Sequence, residues 1–178
     1  SAERDVSCVS AAAVLRNLRA PYRPLLVWIA PDGSWFFQKD PRAFAGLPKP
    51  FRSRFDRVPA RLRLGGRPAL AAGGRRHAVG CVFPALHGPF GEDGPLQGHL
   101  ELAGVPYVGC GVLGSAVGMD KEVTKRLALQ AGLPVLPYAV LSDGELPGRG
   151  FLKARRLKLP VFVKPSRLGS SVGVSQVK

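Results

Sequence analysis

Lys164 ends the apolar run Val161-Phe162-Val163 and is followed by Pro165-Ser166-Arg167-Leu168-Gly169-Ser170-Ser171-Val172-Gly173. The order is strand, cation, small-residue loop, strand. Val161, Phe162 and Val163 have the β-branched and aromatic character of a buried strand, and Pro165 stops the ladder. Gly169 and Gly173 let the backbone turn or approach a ligand closely, while Ser170 and Ser171 add hydroxyls beside their own N–H groups. Such donors beside a lysine suit a polyphosphate held under a hairpin lid. The pattern is not a P-loop, because no G-x-x-x-x-G-K-[ST] occurs and the lysine precedes the glycines on a strand. An ordinary hairpin with a Gly/Ser turn also fits these residues.

Two further groups could join that chemistry. Lys121, if the fold brings it to Lys164, would complete a two-cation clamp on nucleotide phosphates. Lys125 reads as a solvated surface charge. His87 precedes Gly88, and Glu92 follows in a loop that can bend at Gly88, Gly91 and Gly94. That loop could bring the carboxylate to the imidazole and fix its tautomer. Taken singly, His87 fits a structural role and Glu92 fits an ordinary carboxylate at a helix entry. Cys8, Cys81 and Cys110 form no C-x-x-C, and His77, His87 and His99 are scattered. Buried free thiols in a reducing compartment are expected, and any metal would need oxygen ligands.

These groups need elements to position them. A helix capped by Asp5 or Ser7 is predicted through Val9, Ala13, Val14 and Leu18, ending before Pro21, with Glu3 just outside its start. Strands follow at Pro24–Ile29 and Trp35–Gln38, joined by the turn Pro31-Asp32-Gly33-Ser34. Residues 39–76 are rich in Pro, Gly and Arg and have weak periodicity. Ala78–Phe83 reads as a buried parallel strand whose carboxyl end feeds the His87 loop. Pro95 opens a helix with Leu96, Leu100 and Leu102 that ends at Gly104, before a strand at Val105–Val108. A second helix is predicted to start near Asp120 and run Lys121–Gln130. Ala103-Gly104-Val105-Pro106 and Ala131-Gly132-Leu133-Pro134 both put glycine where a left-handed cap is wanted, followed by an extended X-Pro. Ser142–Gly150 reads as a linker and Phe151–Leu157 as a basic helical piece. The remaining strands are Pro137–Leu141, Val161–Lys164 and Val172–Val177.

The expected fold class is α/β. Residues 1–113 would form a Rossmann-like parallel-sheet domain containing the basic variable segment 39–76. Residues 114–178 would begin a second domain with too few strands to cover its own apolar faces.

The chain has 178 residues, is 46% hydrophobic and carries a net charge of +14. That is ample for a sizeable core. The longest apolar run, Leu25–Ala30, is far below a membrane span, and Ser1–Asp5 is no signal region, so a soluble cytoplasmic protein is expected. Eleven Lys or Arg lie between Lys39 and Arg76, against Asp40 and Asp56. From Gly80 to Gly148 the balance reverses, with Lys121, Lys125 and Arg126 against seven acidic residues. A basic segment could hold nucleic acid, but the interleaved aromatics of a single-strand binder and any zinc-finger or helix-turn-helix pattern are missing.

The segments S-A-E-R-D-V-S at 1–7, A-L-H-G-x-x-G-E-D-G-x-L-Q-G at 85–98, M-D-K at 119–121, A-G-L-P at 131–134 and V-K-P-S-R-x-G-S-S-V-G at 163–173 occur in this order. As a set they resemble the N-terminal half of the bacterial D-alanine:D-alanine ligases, members of the ATP-grasp family. The resemblance implies transfer of the ATP γ-phosphate to the carboxylate of one D-alanine. The amine of a second D-alanine then attacks the acyl phosphate, giving a dipeptide for peptidoglycan synthesis.

By the same resemblance Glu3 binds the first D-alanine's ammonium, Ser170 links that glutamate to the phosphate loop, and His87, steadied by Glu92, lines the first-substrate site. Lys121 and Lys164 hold the ATP phosphates under a lid closed by Gly169 and Ser171. D-alanine and ATP are the expected partners, with no membrane; a homodimer stays open and nucleic acid is disfavoured. Mg2+ or Mn2+ is implied, with its ligands expected outside these residues. The family's glycine-rich strand before S-A-E and its adenine- and metal-binding second half do not occur here. The 178 residues alone are therefore not expected to turn over. Pro24–Phe37 resembles the branch that includes D-alanine:D-lactate ligases, the near alternative. The more distant alternative is a non-catalytic basic nucleic-acid-binding module on an ATP-grasp remnant.

Overall fold

The computed structural model describes residues 3–47 and 56–178. Ser1 and Ala2 of the N-terminal motif, and the middle of the basic segment, lie outside the described residues. The chain divides into two compact units, Ser1–Ser115 and Ala116–Lys178.

The first unit begins with helix α1 (Arg4–Asn17), and Glu3, not Asp5 or Ser7, occupies its N-cap. Both of those residues lie inside the first turn, where Ser7 N–H already donates to the Glu3 carbonyl at 3.0 Å. Strands β1 (Leu26–Ile29) and β2 (Trp35–Gln38) form the expected hairpin. Its turn is set by Gly33 at φ +82° and by the Asp32 carboxylate, which accepts from Ser34 N–H at 2.9 Å. That hydrogen bond also holds Asp32 below its ordinary pKa.

The segment with weak periodicity contains helix α2 (Pro41–Gly46) and strands β3 (Val58–Leu62), β4 (Ala69–Ala72) and the start of β5 (Arg75–Ala78). Asp40 caps α2 by accepting from Ala43 N–H at 2.9 Å. Gly73 and Gly74, at φ +55° and +72°, form the two-residue connection between β4 and β5.

The five strands lie in the order β1-β2-β3-β4-β5, every pair antiparallel. The mixed α/β class is as expected, but the principal sheet is antiparallel instead of Rossmann-like and parallel. Short turns can join only antiparallel neighbours, and a parallel pair needs a crossover. One such crossover runs through helix α3 (Pro95–Leu102), and it yields the one parallel bridge among the described residues, Val82↔Tyr107. Ala78–Phe83 is therefore not a buried parallel strand, and Phe83 is exposed. Val105–Val108 likewise contributes a bridge, not a strand.

Alternation along the strands buries one face. Ala60, Leu70 and Ala72 form a cluster against Val27, Trp35, Phe37, Val58 and Val79. Leu100, fully buried, centres a second cluster with Leu96, Ala103 and Val105, which Trp35 also touches. Cys8 and Ala12 of α1 pack on Phe44 of α2. Of the three free cysteines only Cys8 is buried; Cys81 and Cys110 are exposed, contrary to the expectation for all three. Burial pushes the Cys8 thiol pKa up.

Helix α4 (Val112–Met119), which the sequence did not announce, precedes the expected α5 (Lys121–Gln130) with Asp120 as its N-cap. Both glycine caps form as predicted. Gly104 at φ +64° carries bonds from its own N–H to Glu101 O and from Val105 N–H to Leu100 O. Gly132 at φ +73° repeats them to Leu129 O and Ala128 O. These are Schellman motifs.

The second unit continues with α6 (Phe151–Ala154) and the antiparallel pair β6 (Val161–Val163) and β7 (Ser175–Val177). Pro137–Leu141 forms no strand. Phe162 and Val163 are exposed, because a two-stranded ribbon has no second layer to bury them. No helix among the described residues is long and apolar enough to cross a membrane.

Candidate functional site

In the first unit the start of α1 meets the loop after the Val82 bridge. Glu3 is 5% exposed. Its carboxylate lies against Gly88, where an added Cβ would stand 2.8 Å from Glu3 Oε1 and 3.2 Å from Cδ. Gly88 sits at φ +78°, so glycine is needed both for the turn and for the close approach. Glu3 and His87, distant in sequence, are thereby brought together.

Two serines on one face of α1 lock the loop to the helix. Ser7 Oγ donates to Glu3 O at 3.1 Å and accepts from His87 N–H at 2.9 Å. Ser10 Oγ lies 2.8 Å from His87 Nε2, while His87 Nδ1 lies 3.4 Å from Glu92 Oε1. Glu92 Oε2 accepts from Gly88 N–H at 2.7 Å. With Nδ1 facing a carboxylate, the proton belongs on Nδ1, and Nε2 accepts from the Ser10 hydroxyl. The imidazole is thus fixed from both sides.

Ser7 and Ser10 are positions at this site that the sequence reading did not single out for it. Their signal is a polar stripe, Glu3, Ser7 and Ser10, on one side of a helix that buries Cys8 and Ala12 on another. Gly91 completes the loop, since a Cβ there would stand 2.6 Å from Leu86 Cβ. Gln97 of α3, itself buried, donates to Gly91 O at 3.0 Å.

In the second unit the phosphate-type loop follows β6. Ser170, Ser171 and Gly173 adopt φ +45°, +59° and +70°. Two non-glycine residues in the left-handed region cost about 1 kcal/mol or more each, and such strain collects at ligand-gripping loops. Val172 N–H donates to Gly169 O at 3.0 Å and Val174 N–H to Ser171 O at 3.2 Å, closing the turn. Pro165 packs so closely that a Cβ on Gly173 would lie 2.8 Å from its Cγ.

Lys121 reaches this loop, donating from Nζ to the carbonyls of Ser166, at 3.4 Å, and Leu168. Lys164 lies over the Phe162 ring, 6.0 Å from its centroid. Lys125 stands over the Tyr138 ring at 4.7 Å. The sequence reading missed Asp120 and Arg167 here. Asp120 Oδ2 accepts from Arg167 Nε at 2.8 Å, and Oδ1 accepts from Ser166 Oγ at 2.9 Å. No three Asp, Glu, His or Cys side chains gather as a metal set among the described residues. The residues described do not fit Mg2+.

A buried carboxylate beside an oriented imidazole can take an ammonium and a carboxylate-bearing neighbour, and a strained Ser/Gly loop with lysines can take phosphates. Two family models match the chain, one over each part. Residues 1–110 match the family described as "D-ala D-ala ligase N-terminus", and residues 127–178 match "D-ala D-ala ligase C-terminus". The chain belongs to the D-alanine–D-alanine ligase family. The D-alanine--D-alanine ligase of Mycobacterium tuberculosis (strain ATCC 25618 / H37Rv) is 50% identical over 191 residues, covering 99% of this chain and 50% of that protein. The enzyme of that name from Mycolicibacterium vanbaalenii is 49% identical over 188 residues, covering 99% and 51%. The chain therefore spans about half the length of the curated relatives it matches.

Among solved structures, the D-alanine-D-alanine ligase from Coxiella burnetii aligns with a TM-score of 0.84 at 33% identity, over 100% of this chain and 51% of that one. The VanG D-Ala:D-Ser ligase from Enterococcus faecalis aligns with a TM-score of 0.76 at 33% identity, covering 99% and 52%.

Proposed function

We propose that this chain supplies the first-substrate pocket and the phosphate-gripping loop of an ATP-dependent D-alanine:D-alanine ligase. The observation that carries the reading is the convergence of Glu3, His87 and Glu92, pinned by Ser7 and Ser10, in a chain of this family. Glu3 takes the ammonium of the first D-alanine, an opposite charge on a carboxylate that is itself buried. His87, held by Glu92 and Ser10, faces the same substrate.

Lys121 and Lys164 take ATP phosphate oxygens, and the Gly169–Ser171 backbone adds N–H donors, with Ser170 and Ser171 contributing hydroxyls. The substrate carboxylate oxygen attacks the γ-phosphorus, ADP leaves, and an acyl phosphate forms. The amine of a second D-alanine then attacks the acyl carbon and phosphate departs, leaving the amide. Soluble, cytoplasmic assembly of a peptidoglycan precursor is the setting this reading proposes. The domain division it uses is 1–113 for the first-substrate domain and 114–178 for the start of the ATP-grasp domain.

The test is phosphate release and dipeptide formation by the full-length gene product with ATP and D-alanine. D-lactate is offered in parallel as acceptor across a pH series, since only an amine must lose a proton before attack. Glu3→Gln should raise KM for D-alanine strongly while leaving KM for ATP close to wild type. Turnover with D-lactate alone would replace the acceptor. Absence of ATP-dependent phosphate release would refute the ligase reading.

A further inference from the structure

Asp120 caps α5 with Oδ1, which accepts from Glu122 N–H at 3.0 Å and Val123 N–H at 3.2 Å. The same oxygen accepts from Ser166 Oγ, and the other oxygen accepts from Arg167 Nε at 2.8 Å. Beside it, Lys121 N–H donates to Ser166 O at 3.0 Å, and Lys121 Nζ donates to Ser166 O and Leu168 O. A helix start and a loop start, more than forty positions apart, thus share one carboxylate and one lysine. The cap alone needs only Oδ1, so the contact from Oδ2 to Arg167 serves the loop.

We propose that Asp120 and Arg167 form a latch that holds the 166–171 loop in its phosphate-ready shape, making both of them positioning residues for nucleotide capture. The inference deepens the ligase reading and rests on it for the identity of the ligand. Physically, the loop keeps two serines at positive φ, a conformation that an untethered loop would leave. Ordering several loop residues costs about 1–2 kcal/mol each, and a tether present before binding removes part of that cost from the affinity. Lys121 benefits twice, since its ammonium is already held at the loop's base, next to where phosphate oxygens would arrive. Arg167 acts through Asp120 and needs no contact with the nucleotide.

The experiment uses the full-length gene product with Arg167→Ala, Asp120→Asn and the double variant. Arg167 is the safer probe, because its side chain is 80% exposed and caps no helix. Amide hydrogen exchange at Val172 and Val174 without nucleotide reads the latch itself. KM for ATP and KM for D-alanine read its consequence. Arg167→Ala should speed exchange in the loop and raise KM for ATP roughly tenfold with KM for D-alanine unchanged. The double variant should be no worse than the worse single one, because either removal opens the same contact. Arg167→Lys, which keeps the charge but not the Nε–H, should recover part of the loss.

Unaltered loop exchange in Arg167→Ala overturns the latch, and so does faster exchange with an unchanged KM for ATP. A wild-type protein without ATP turnover overturns instead the ligase reading, and the exchange measurement still decides whether the tether exists.

Discussion

Gly88→Ala tests the contact on which the first-substrate pocket depends. The added Cβ would lie 2.8 Å from Glu3 Oε1, 3.2 Å from Cδ and 3.6 Å from Cγ. Ordinary contact begins near 3.4 Å, so the carboxylate must retreat by several tenths of an ångström from a position only 5% exposed. The backbone adds a second cost, since φ +78° at an alanine strains the chain by about 1–2 kcal/mol. Overpacking of a tight site contributes about 1–3 kcal/mol more. A total of about 2–5 kcal/mol is expected in urea unfolding. Gly80→Ala is the matched control, because nothing lies within 4 Å and no positive φ is required; it should stay within about 0.5 kcal/mol of the parent. A double-mutant cycle separates the two costs. In a Glu3→Ala background the overlap vanishes, so Gly88→Ala should then cost only the backbone part, about 1–2 kcal/mol. Equal costs with and without Glu3 would show that the carboxylate does not occupy the place described, and a Gly88→Ala cost no larger than that of Gly80→Ala would refute both components.

Three further outcomes follow from the same geometry. Nitrogen-15 NMR of His87 should find the neutral ring protonated at Nδ1, and Ser10→Ala with Glu92→Gln should mix the tautomers; protonation at Nε2 in the parent would contradict the assignment. Arg167 lowers the Asp120 carboxyl well below its ordinary value, with help from Val123 N–H and Ser166. A depressed folded value means the contribution is complete above the unfolded value of 3.8 and is lost as pH falls through the lowered one. The Arg167 Nε–H resonance should accordingly hold its position from about pH 7 down to about pH 4, and a shift centred near an ordinary carboxylate pKa would contradict the latch. With a thiol reagent, Cys81 and Cys110 should react in the folded protein and Cys8 only on unfolding, its thiolate being disfavoured by burial; three equal rates would contradict the packing of α1 on α2.

What could be read in the sequence has a physical pattern. Gly104, Gly132 and Asp120 were legible because a helix terminus leaves its own N–H or carbonyl groups unpaired, and the residues that satisfy them stand within a few positions. Gly33 was legible for the same local reason. Strands β3 to β5 were not, although they form most of the sheet. Their outward positions carry Arg61, Ala71 and Arg76, aligned across the three strands, and their inward ones carry Ala60, Leu70 and Ala72. Alanine inside and arginine outside give little of the β-branched signal that marks a strand. The antiparallel pairing of β4 with β5 then comes from the two-residue turn Gly73-Gly74, which an expectation of βαβ order passes over.

The candidate site divides along the same line. His87 and Glu92 could be paired from the glycines between them, because the loop that joins them is short. Ser7, Ser10 and Arg167 could not, because their partners lie across the unit and a serine or arginine admits many. Only the i, i+4, i+7 spacing of Glu3, Ser7 and Ser10 survives in the sequence, as three polar groups on one side of a helix that packs Cys8 and Ala12 into the core from another. Burying polar groups on such a face costs free energy unless each finds a partner. That stripe therefore demands a polar counterpart from elsewhere in the chain, and the His87 N–H and ring supply it to Ser7 and Ser10. A polar stripe at i, i+4 and i+7, set apart from the side that packs Cys8, Ala12 and Leu15, is thus a site signal of the same standing as the glycine-rich loops, and it names the helix face before it can name the partner.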